Sequence, residues 1–184
     1  MYTRLLNPSP NHSFFLFGPR GTGKTTWVHS HYPKALYFDL LQPDLYRQFS
    51  ANPDILRKYI PSDFEDLIII DEVQRVPELL NEVHRLIEDP KHYKFILTGS
   101  SARKLRRQGV NLLAGRAYTY NMYPLTSTEI GQDFELKKAL QYGTLPSILT
   151  ENDPKKYLNS YLSTYLEQEI NQEAMTRNIS AFYR

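Results

Sequence analysis

The sequence contains no cysteine, and it has only 8 glycines in 184 residues. The lack of cysteine excludes a fold held by disulfides, and it favours a cytoplasmic compartment. No segment approaches the roughly 18 consecutive apolar residues that a membrane helix needs, and the N-terminus lacks the small-residue cleavage site of a signal peptide. The formal net charge of +2 is too small to indicate nucleic-acid binding by itself. We therefore expect a cytoplasmic globular protein with no membrane segment.

The composition fits this expectation. Hydrophobic residues make up 41% and charged residues 23% of the chain, which is ordinary for a globular domain. The length suits one domain, or one domain with a short appendage, and is enough to bury more than half of the surface. The chain has 14 tyrosines and one tryptophan. Half-buried tyrosines are the favoured explanation, and a tyrosine-rich partner surface is the alternative.

The few glycines are concentrated in the segment GPRGTGKTT, residues 18–26. It matches the phosphate-loop pattern G-x-x-x-x-G-K-[ST] at every fixed position, between an apolar strand-like run and a helical segment. Glycines allow successive backbone N–H groups to face a polyphosphate, and the following helix adds its positive end. Lys24 is expected to reach the β- and γ-phosphates, and the Thr25 hydroxyl to hold Mg²⁺. The expected nucleotide contacts are Gly18, Pro19, Arg20, Gly21, Thr22, Gly23, Lys24, Thr25 and Thr26.

Strand and helix signals alternate through the first two-thirds of the chain. The apolar and alternating runs predict strands over residues 14–17, 35–40, 67–70, 93–97 and 117–123. Strands separated by helices indicate an α/β fold with an open, mainly parallel sheet. After Pro124 only helical patterns follow, over 129–142 with an interruption at Gly131, and over 154–175. We expect a core of residues 1–125 and a small helical subdomain of residues 126–184.

Two carboxylates follow the most apolar strand, LIII at residues 67–70. Asp71 and Glu72 are then expected at the carboxyl edge of the sheet, where α/β proteins gather their ligands. Asp71 suits the outer coordination of Mg²⁺, and Glu72 suits a general base that activates water. The alternative is that the pair only ends the strand and caps a turn, and the upstream phosphate loop makes this the less favoured interpretation.

Two further positions are candidates with open alternatives. A hydroxyl in the polar cluster at residues 98–101 can contact a γ-phosphate, with Ser100 the first choice and Thr98 its competitor. Capping of a helix over residues 102–107 is equally favoured. Arg116 follows a short apolar segment and a glycine, where a surface ion pair is the favoured role from spacing alone. An arginine that reaches the γ-phosphate is the alternative.

Taken in order, GPRGTGKTT, LIIIDEVQRVPELL, FILTGSSARKL and NLLAGRA with YPLTSTEIG resemble one prokaryotic ATPase family. Its members join an AAA-type P-loop ATPase domain to a C-terminal domain of unknown function, and the resemblance covers residues 14–170. It implies a P-loop NTPase fold of the additional-strand, catalytic-glutamate type, in which another strand lies between the phosphate-loop strand and the Asp-Glu strand. It also implies that Lys24 and Thr25 bind phosphate and Mg²⁺, and that Asp71 and Glu72 are the metal and water-activating carboxylates.

The resemblance also implies that residues 98–101 lie at the sensor strand, the strand whose end contacts the γ-phosphate. It makes a γ-phosphate role for Arg116 as favoured as the ion pair. It further implies that relatives continue beyond residue 184, so we expect an excised ATPase domain or a naturally shortened member. The aromatic ending RNISAFYR agrees with a chain cut before its natural end.

The predicted function is Mg²⁺-dependent binding and hydrolysis of ATP, slow in isolation if a neighbouring subunit must supply an arginine. ATP is favoured over GTP because no guanine-reading N/T-K-x-D pattern is present. The alternative is an ATP-gated switch that acts on a partner protein or in association with DNA. A small-molecule kinase is disfavoured because Glu72 suits the activation of water. The basic segment of residues 103–107 is interpreted as a solvated helix face in preference to a nucleic-acid contact, because the net charge is only +2. The sequence is consistent with assembly into a homo-oligomer and with binding to a partner protein.

Overall fold

The computed structural model describes residues 2–9, 11–107 and 113–163. In this part of the chain five strands form one sheet in the order β2-β3-β4-β1-β5, and every neighbouring pair is parallel. The expected intervening strand is present, because β4 lies between β1 and β3. The strands are Ser13–Phe17 (β1), Leu36–Asp39 (β2), Ile68–Asp71 (β3), Phe95–Gly99 (β4) and Ala117–Asn121 (β5).

The central strands are apolar because both of their faces are covered. All residues of β1, β3 and β4 are buried, which is the pattern of a parallel sheet with helices on both sides. Successive side chains alternate between the two faces. Phe15 and Phe17 stack on one face with ring centroids 5.3 Å apart, while Phe14 meets the edge of Tyr120 at 5.4 Å.

Helices connect the strands as the periodicity predicts. The helical segment between β2 and β3 breaks at Asn52, whose side chain accepts the backbone N–H of Asp54 and starts a short 3₁₀ turn. These helices are Lys24–His31 (α1), Pro43–Ala51 (α2), Leu56–Tyr59 (α3), Leu79–Glu88 (α4) and Ala102–Arg107 (α5). No helix in the described ranges is long and apolar enough to cross a membrane.

The strand bounds differ from the sequence prediction by at most two residues, and the ends of β4 and β5 differ by two. Strand β4 runs to Gly99 instead of stopping at residue 97, and β5 ends at Asn121 instead of residue 123. Thr98 and Gly99 extend β4 because they pair with Leu16 and Phe17 of β1. Thr98 is fully buried in spite of its hydroxyl. Its polarity led the sequence analysis to place it after the strand, and its hydrogen bonds, described below, explain its burial.

The chain divides into two compact units by its internal contacts. The first unit, as far as the structure describes it, contains the five strands and consists of residues 7–9, 11–18, 23–107 and 113–122. The second unit, as far as the structure describes it, consists of residues 2–6, 19–22 and 123–163. It is helical, and it includes four residues of the predicted phosphate loop. The predicted division into residues 1–125 and 126–184 stays a prediction.

In the helical unit, Gly131 interrupts the helical pattern as expected, and a helix that the sequence analysis missed follows. Its helices are Ser127–Ile130 (α6), Leu136–Tyr142 (α7), Pro146–Thr150 (α8) and Pro154–Tyr161 (α9). The five residues of α8 are too few to show a helical period, which explains the omission. Asp153 caps α9 by accepting the N–H of Lys156 at 3.0 Å. The remainder of the predicted helix 154–175 lies outside the described residues.

Within this unit, Glu129 ties the N-terminal segment to α6. Its carboxylate accepts the N–H groups of Leu5 at 2.8 Å and Thr126 at 2.9 Å, and it lies 3.4 Å from the Arg4 guanidinium. Burial opposes the charge on Glu129. The two backbone donors and Arg4 outweigh this effect, so the pKa of Glu129 is below its ordinary value.

We expect Glu129→Gln to lower the free energy of unfolding by about 1–3 kcal/mol at pH 7, because the carboxylate has charge-assisted hydrogen bonds. A carboxyl whose pKa is lower in the folded state stabilises the fold above its unfolded pKa of about 4.3. The difference between wild type and variant should therefore shrink as the pH falls below that value. Urea unfolding from pH 7 to pH 3 measures it, with the exposed Glu135→Gln as control. A pH-independent difference would contradict this account.

Candidate functional site

The predicted phosphate loop connects the end of β1 to the start of α1, and its glycines are required by the backbone. A Cβ built on Gly18 would lie 2.0 Å from the carbonyl oxygen of Met122, so no other residue fits there. Gly23 precedes α1 with a φ of 89°, in the left-handed region that favours glycine. Helix α1 has no acidic residue in its first turn. Its positive end is therefore not compensated by a carboxylate within the helix.

Side chains of the loop fold back on the loop itself. The buried Thr22 donates its hydroxyl to the carbonyl oxygen of Pro19 at 2.8 Å, and its N–H approaches the same oxygen at 3.4 Å. Lys24 is 6% exposed, and its Nζ donates to the carbonyl oxygen of Gly18 at 2.7 Å. The Lys24 ammonium thus lies over the first residue of the loop. Thr26 and Arg20 are exposed.

Asp71 ends β3 with a carboxylate that accepts three hydroxyl groups. Thr25 donates to its Oδ2 at 2.7 Å, Tyr37 donates to the same oxygen, and Thr98 donates to Oδ1. These donors come from α1, β2 and β4, and Asp71 itself is 2% exposed. Burial, together with the hydrogen bond to Asp71, raises the pKa of Tyr37 far above its ordinary value. Tyr37 therefore stays a neutral donor.

The donor set around Thr25 fits a magnesium ion. A hydroxyl has one proton and two lone pairs, and the Thr25 proton is directed to Asp71. The oxygen lone pairs of Thr25 thus point away from the carboxylate. Mg²⁺ prefers oxygen ligands and keeps several of its waters, which a carboxylate such as Asp71 can hold in the outer shell.

Glu72 has a backbone conformation that is unusual for a residue other than glycine. Its φ is 61°, and its N–H donates to the Thr98 hydroxyl oxygen at 3.2 Å. The Glu72 carboxylate accepts the side-chain amide of Gln74. Gln74 is buried, and its Oε1 has no hydrogen-bond partner among the described residues. A Cβ on Gly99 would lie 2.5 Å from that oxygen, so the glycine leaves room for Gln74.

The structure links Thr25 to Asp71 directly and Glu72 to Asp71 through Thr98, and Lys24 is next to Thr25. The two other candidates are Arg116 and Ser100. Arg116 is exposed and forms an ion pair with Glu88, which holds the pKa of that carboxyl below its usual range. This is the ion-pair role that spacing favoured. Ser100 is half-buried just after β4, and its role stays a prediction.

In the polar cluster of residues 98–101, side-chain hydrogen bonds are made by Thr98, which lies within β4, and by Ser101. Thr98 contacts both Asp71 and Glu72, although it was only the competitor of Ser100 in the sequence analysis. Ser101 caps α5 by accepting the N–H of Arg103 at 3.1 Å. The side chains of Lys104, Arg106 and Arg107 lie outside the described residues.

Two residues at the carboxylates were missed from the sequence, namely Tyr37 and Gln74. Tyr37 sits in an alternating strand, where nothing marks one tyrosine among many as a donor to Asp71. Gln74 lies in the segment VQRV beside another polar residue, Arg75. Gln74 differs from most other polar residues in being buried, and sequence alone does not show burial.

We expect Thr98→Val to lower the free energy of unfolding by about 1–3 kcal/mol, because the Oδ1 atom of the buried Asp71 loses its donor and the Glu72 N–H loses its acceptor. Thr98→Ser, which keeps the hydroxyl, should recover most of the loss. Urea unfolding measures the difference, and Thr119→Val on the exposed side of β5 is the control, with an expected change of about 0.5 kcal/mol or less. Equal stability of Thr98→Val and the control would contradict the assigned hydrogen bonds.

Comparison with known proteins identifies the family of this chain. A family model described as an AAA domain matches residues 10–131. Two uncharacterized proteins, one of Mycobacterium bovis and one of Mycobacterium tuberculosis, are each 30% identical to this chain over 164 residues. The match covers 85% of this chain but 36% of each relative, so the chain spans about a third of their length. The matched segment contains the phosphate loop, the Asp-Glu strand and Thr98, and on this ground the chain belongs to the AAA domain family.

Proposed function

We propose that this chain binds Mg·ATP at residues 18–26 and hydrolyses it. The observation that carries the proposal is the hydrogen bond of 2.7 Å between Thr25, next to the phosphate-loop lysine, and Asp71, next to Glu72. It joins the two motifs that a nucleotide hydrolase needs, phosphate binding and water activation. Membership of the AAA domain family supports the same conclusion.

The phosphate-binding role falls to the loop and to Lys24. The backbone N–H groups of the loop and the positive end of α1, which has no acidic residue in its first turn, attract the β- and γ-phosphates. Lys24 is placed over the loop and moves its ammonium from the Gly18 carbonyl to phosphate oxygens. Thr25 and Asp71 hold the magnesium ion, which neutralises phosphate charge when it is bound.

Glu72 is the proposed general base. It accepts a proton from water as the water oxygen bonds to the γ-phosphorus, while the bond from that phosphorus to the β–γ bridging oxygen breaks and ADP leaves. Its carboxylate is hydrogen-bonded to Gln74, so this contact must loosen before Glu72 can accept a proton from water. Arg116 is engaged by Glu88. We therefore infer slow basal turnover, with a second copy or a partner protein supplying or releasing an arginine.

The contact between Glu72 and Gln74 also favours a second candidate, an ATP-gated interaction switch. If the carboxylate stays with Gln74 after ATP binds, the protein holds ATP and changes its affinity for a partner without appreciable turnover. The cytoplasmic location, the extent of the helical subdomain and an association with DNA stay predictions from the sequence under both functions.

We expect Glu72→Gln to lower phosphate release from Mg·ATP by about 10²-fold or more while ATP binding is retained, because general-base catalysis contributes about 10²–10⁴-fold. Lys24→Ala should instead weaken ATP binding. Phosphate release and calorimetric binding are measured over a series of protein concentrations, with and without EDTA. The exposed variants Glu65→Gln and Lys34→Ala are the matched controls.

A rise of specific activity with protein concentration would indicate that subunits complete each other's sites. ATP binding by wild type without turnover at any concentration would reject the hydrolase and leave the switch. Absence of ATP binding by wild type, or wild-type binding by Lys24→Ala, would reject the nucleotide site itself.

A further inference from the structure

The phosphate loop is contacted by a pair of tyrosines from the last described helix, α9. Tyr157 and Tyr161 are four residues apart on one face of α9 and stack with ring centroids 6.2 Å apart, at 22° between their planes. The Tyr161 hydroxyl donates to the carbonyl oxygen of Arg20 at 3.0 Å. Arg20 and both tyrosines belong to the same compact unit. No general feature of a phosphate loop requires this contact.

Gly21 lies directly under the two tyrosines. A Cβ built there would be 3.8 Å from the Tyr157 hydroxyl, 3.8 Å from the Tyr161 ring and 3.9 Å from Leu145. These are ordinary packing distances, so the tyrosines cover the loop closely at this residue. Gly21 has a φ of 80°, and a glycine backbone changes conformation more easily than any other. Helix α9 therefore contacts the loop at a residue whose backbone can change conformation easily.

The hydrogen bond from Tyr161 fixes the direction of one peptide group. The Arg20 carbonyl and the Gly21 N–H belong to the same peptide, and the described chain has no cis peptide bond. In a trans peptide the C=O and the N–H point in opposite directions. While Arg20 keeps its oxygen on Tyr161, the Gly21 N–H points away from α9. A rotated peptide would direct a carbonyl oxygen, which repels phosphate, to the place of the N–H.

We propose that Tyr161 is a positioning residue for phosphate binding, which holds the Arg20–Gly21 peptide so that the Gly21 N–H donates to the polyphosphate. This inference rests on the proposed nucleotide site. Tyr161 touches neither phosphate nor metal, and it acts through the backbone of the loop. By linkage, a change that moves the end of α9 changes the affinity for ATP, and bound ATP in turn stabilises the position of α9.

The test compares wild type, Tyr161→Phe, which removes only the hydroxyl, and Tyr161→Ala, which also removes the ring. Tyr123→Phe is the control, because Tyr123 is 64% exposed. Three quantities are measured: the Kd for Mg·ATP by calorimetry, kcat at saturating ATP, and the backbone amide signal of Gly21 by NMR without nucleotide. Thermal unfolding of each variant checks that the fold is retained.

We expect Tyr161→Phe to raise the Kd by about two- to tenfold, the effect of one net hydrogen bond. The Gly21 amide signal should move, kcat should stay within about twofold of wild type, and Tyr161→Ala should bind ATP more weakly still. The Tyr123→Phe control should behave as wild type. A wild-type Kd with an unmoved Gly21 signal in Tyr161→Phe would overturn the inference. So would a lowered kcat at an unchanged Kd.

These failures are distinct from failure of the proposed function. If wild type itself does not bind Mg·ATP, the nucleotide site is rejected, and with it the phosphate role of Tyr161. If wild type binds and Lys24→Ala does not, the nucleotide site stands, and the comparison of Tyr161→Phe with Tyr123→Phe alone decides the role of Tyr161.

Discussion

The arrangement of the site depends on the burial of one carboxylate, Asp71. A charged group that is 2% exposed must be compensated, because an isolated buried charge is costly. Thr25, Tyr37 and Thr98 meet this need with hydroxyl groups. Hydroxyls replace hydration but bring no positive charge, so the negative charge of Asp71 remains at the carboxyl edge of the sheet. A negatively charged edge of this kind attracts a cation. The same three hydrogen bonds attach α1, β2 and β4 to Asp71, next to the place where the cation would bind.

Glu72 has an unusual backbone because of this same cluster. Asp71 is fixed by its three donors, and the Thr98 hydroxyl accepts the next N–H along the chain, that of Glu72. A residue other than glycine in the left-handed region costs on the order of 1–3 kcal/mol, and such strain is concentrated at functional sites. The strained turn directs the Glu72 side chain to Gln74, whose own oxygen finds no partner among the described residues. The Glu72 carboxylate is thus held by a hydrogen bond from Gln74, and this bond can be exchanged for another.

The phosphate-loop pattern between a strand and a helix, and two carboxylates at the end of a covered strand, could be predicted from the sequence because local spacing determines each of them. The strand between β1 and β3 was implied by the family resemblance and not by spacing. A glycine pattern between a strand and a helix is visible in 14 residues, and an apolar run before Asp71 identifies a covered strand. Tyr37, Gln74 and the burial of Thr98 were not predictable in this way. Tyr37 meets Asp71 only because β2 and β3 pair with Asp39 opposite Asp71, and such a register is a property of the assembled sheet. Thr98 is buried for the same reason, since its partners come from β3.

The contact of Tyr161 with Arg20 illustrates the same limit over a larger separation, 141 residues. A helical pattern predicts that Tyr157 and Tyr161 share a face of α9, but it does not show what that face covers. The contact with α9 gives the glycine at position 21 a second structural role. A flexible residue in a phosphate loop permits both directions of the preceding peptide, and an external donor is then needed to select one of them. In this chain the same glycine that lets the loop bend also makes its binding conformation depend on a helix that begins at Pro154.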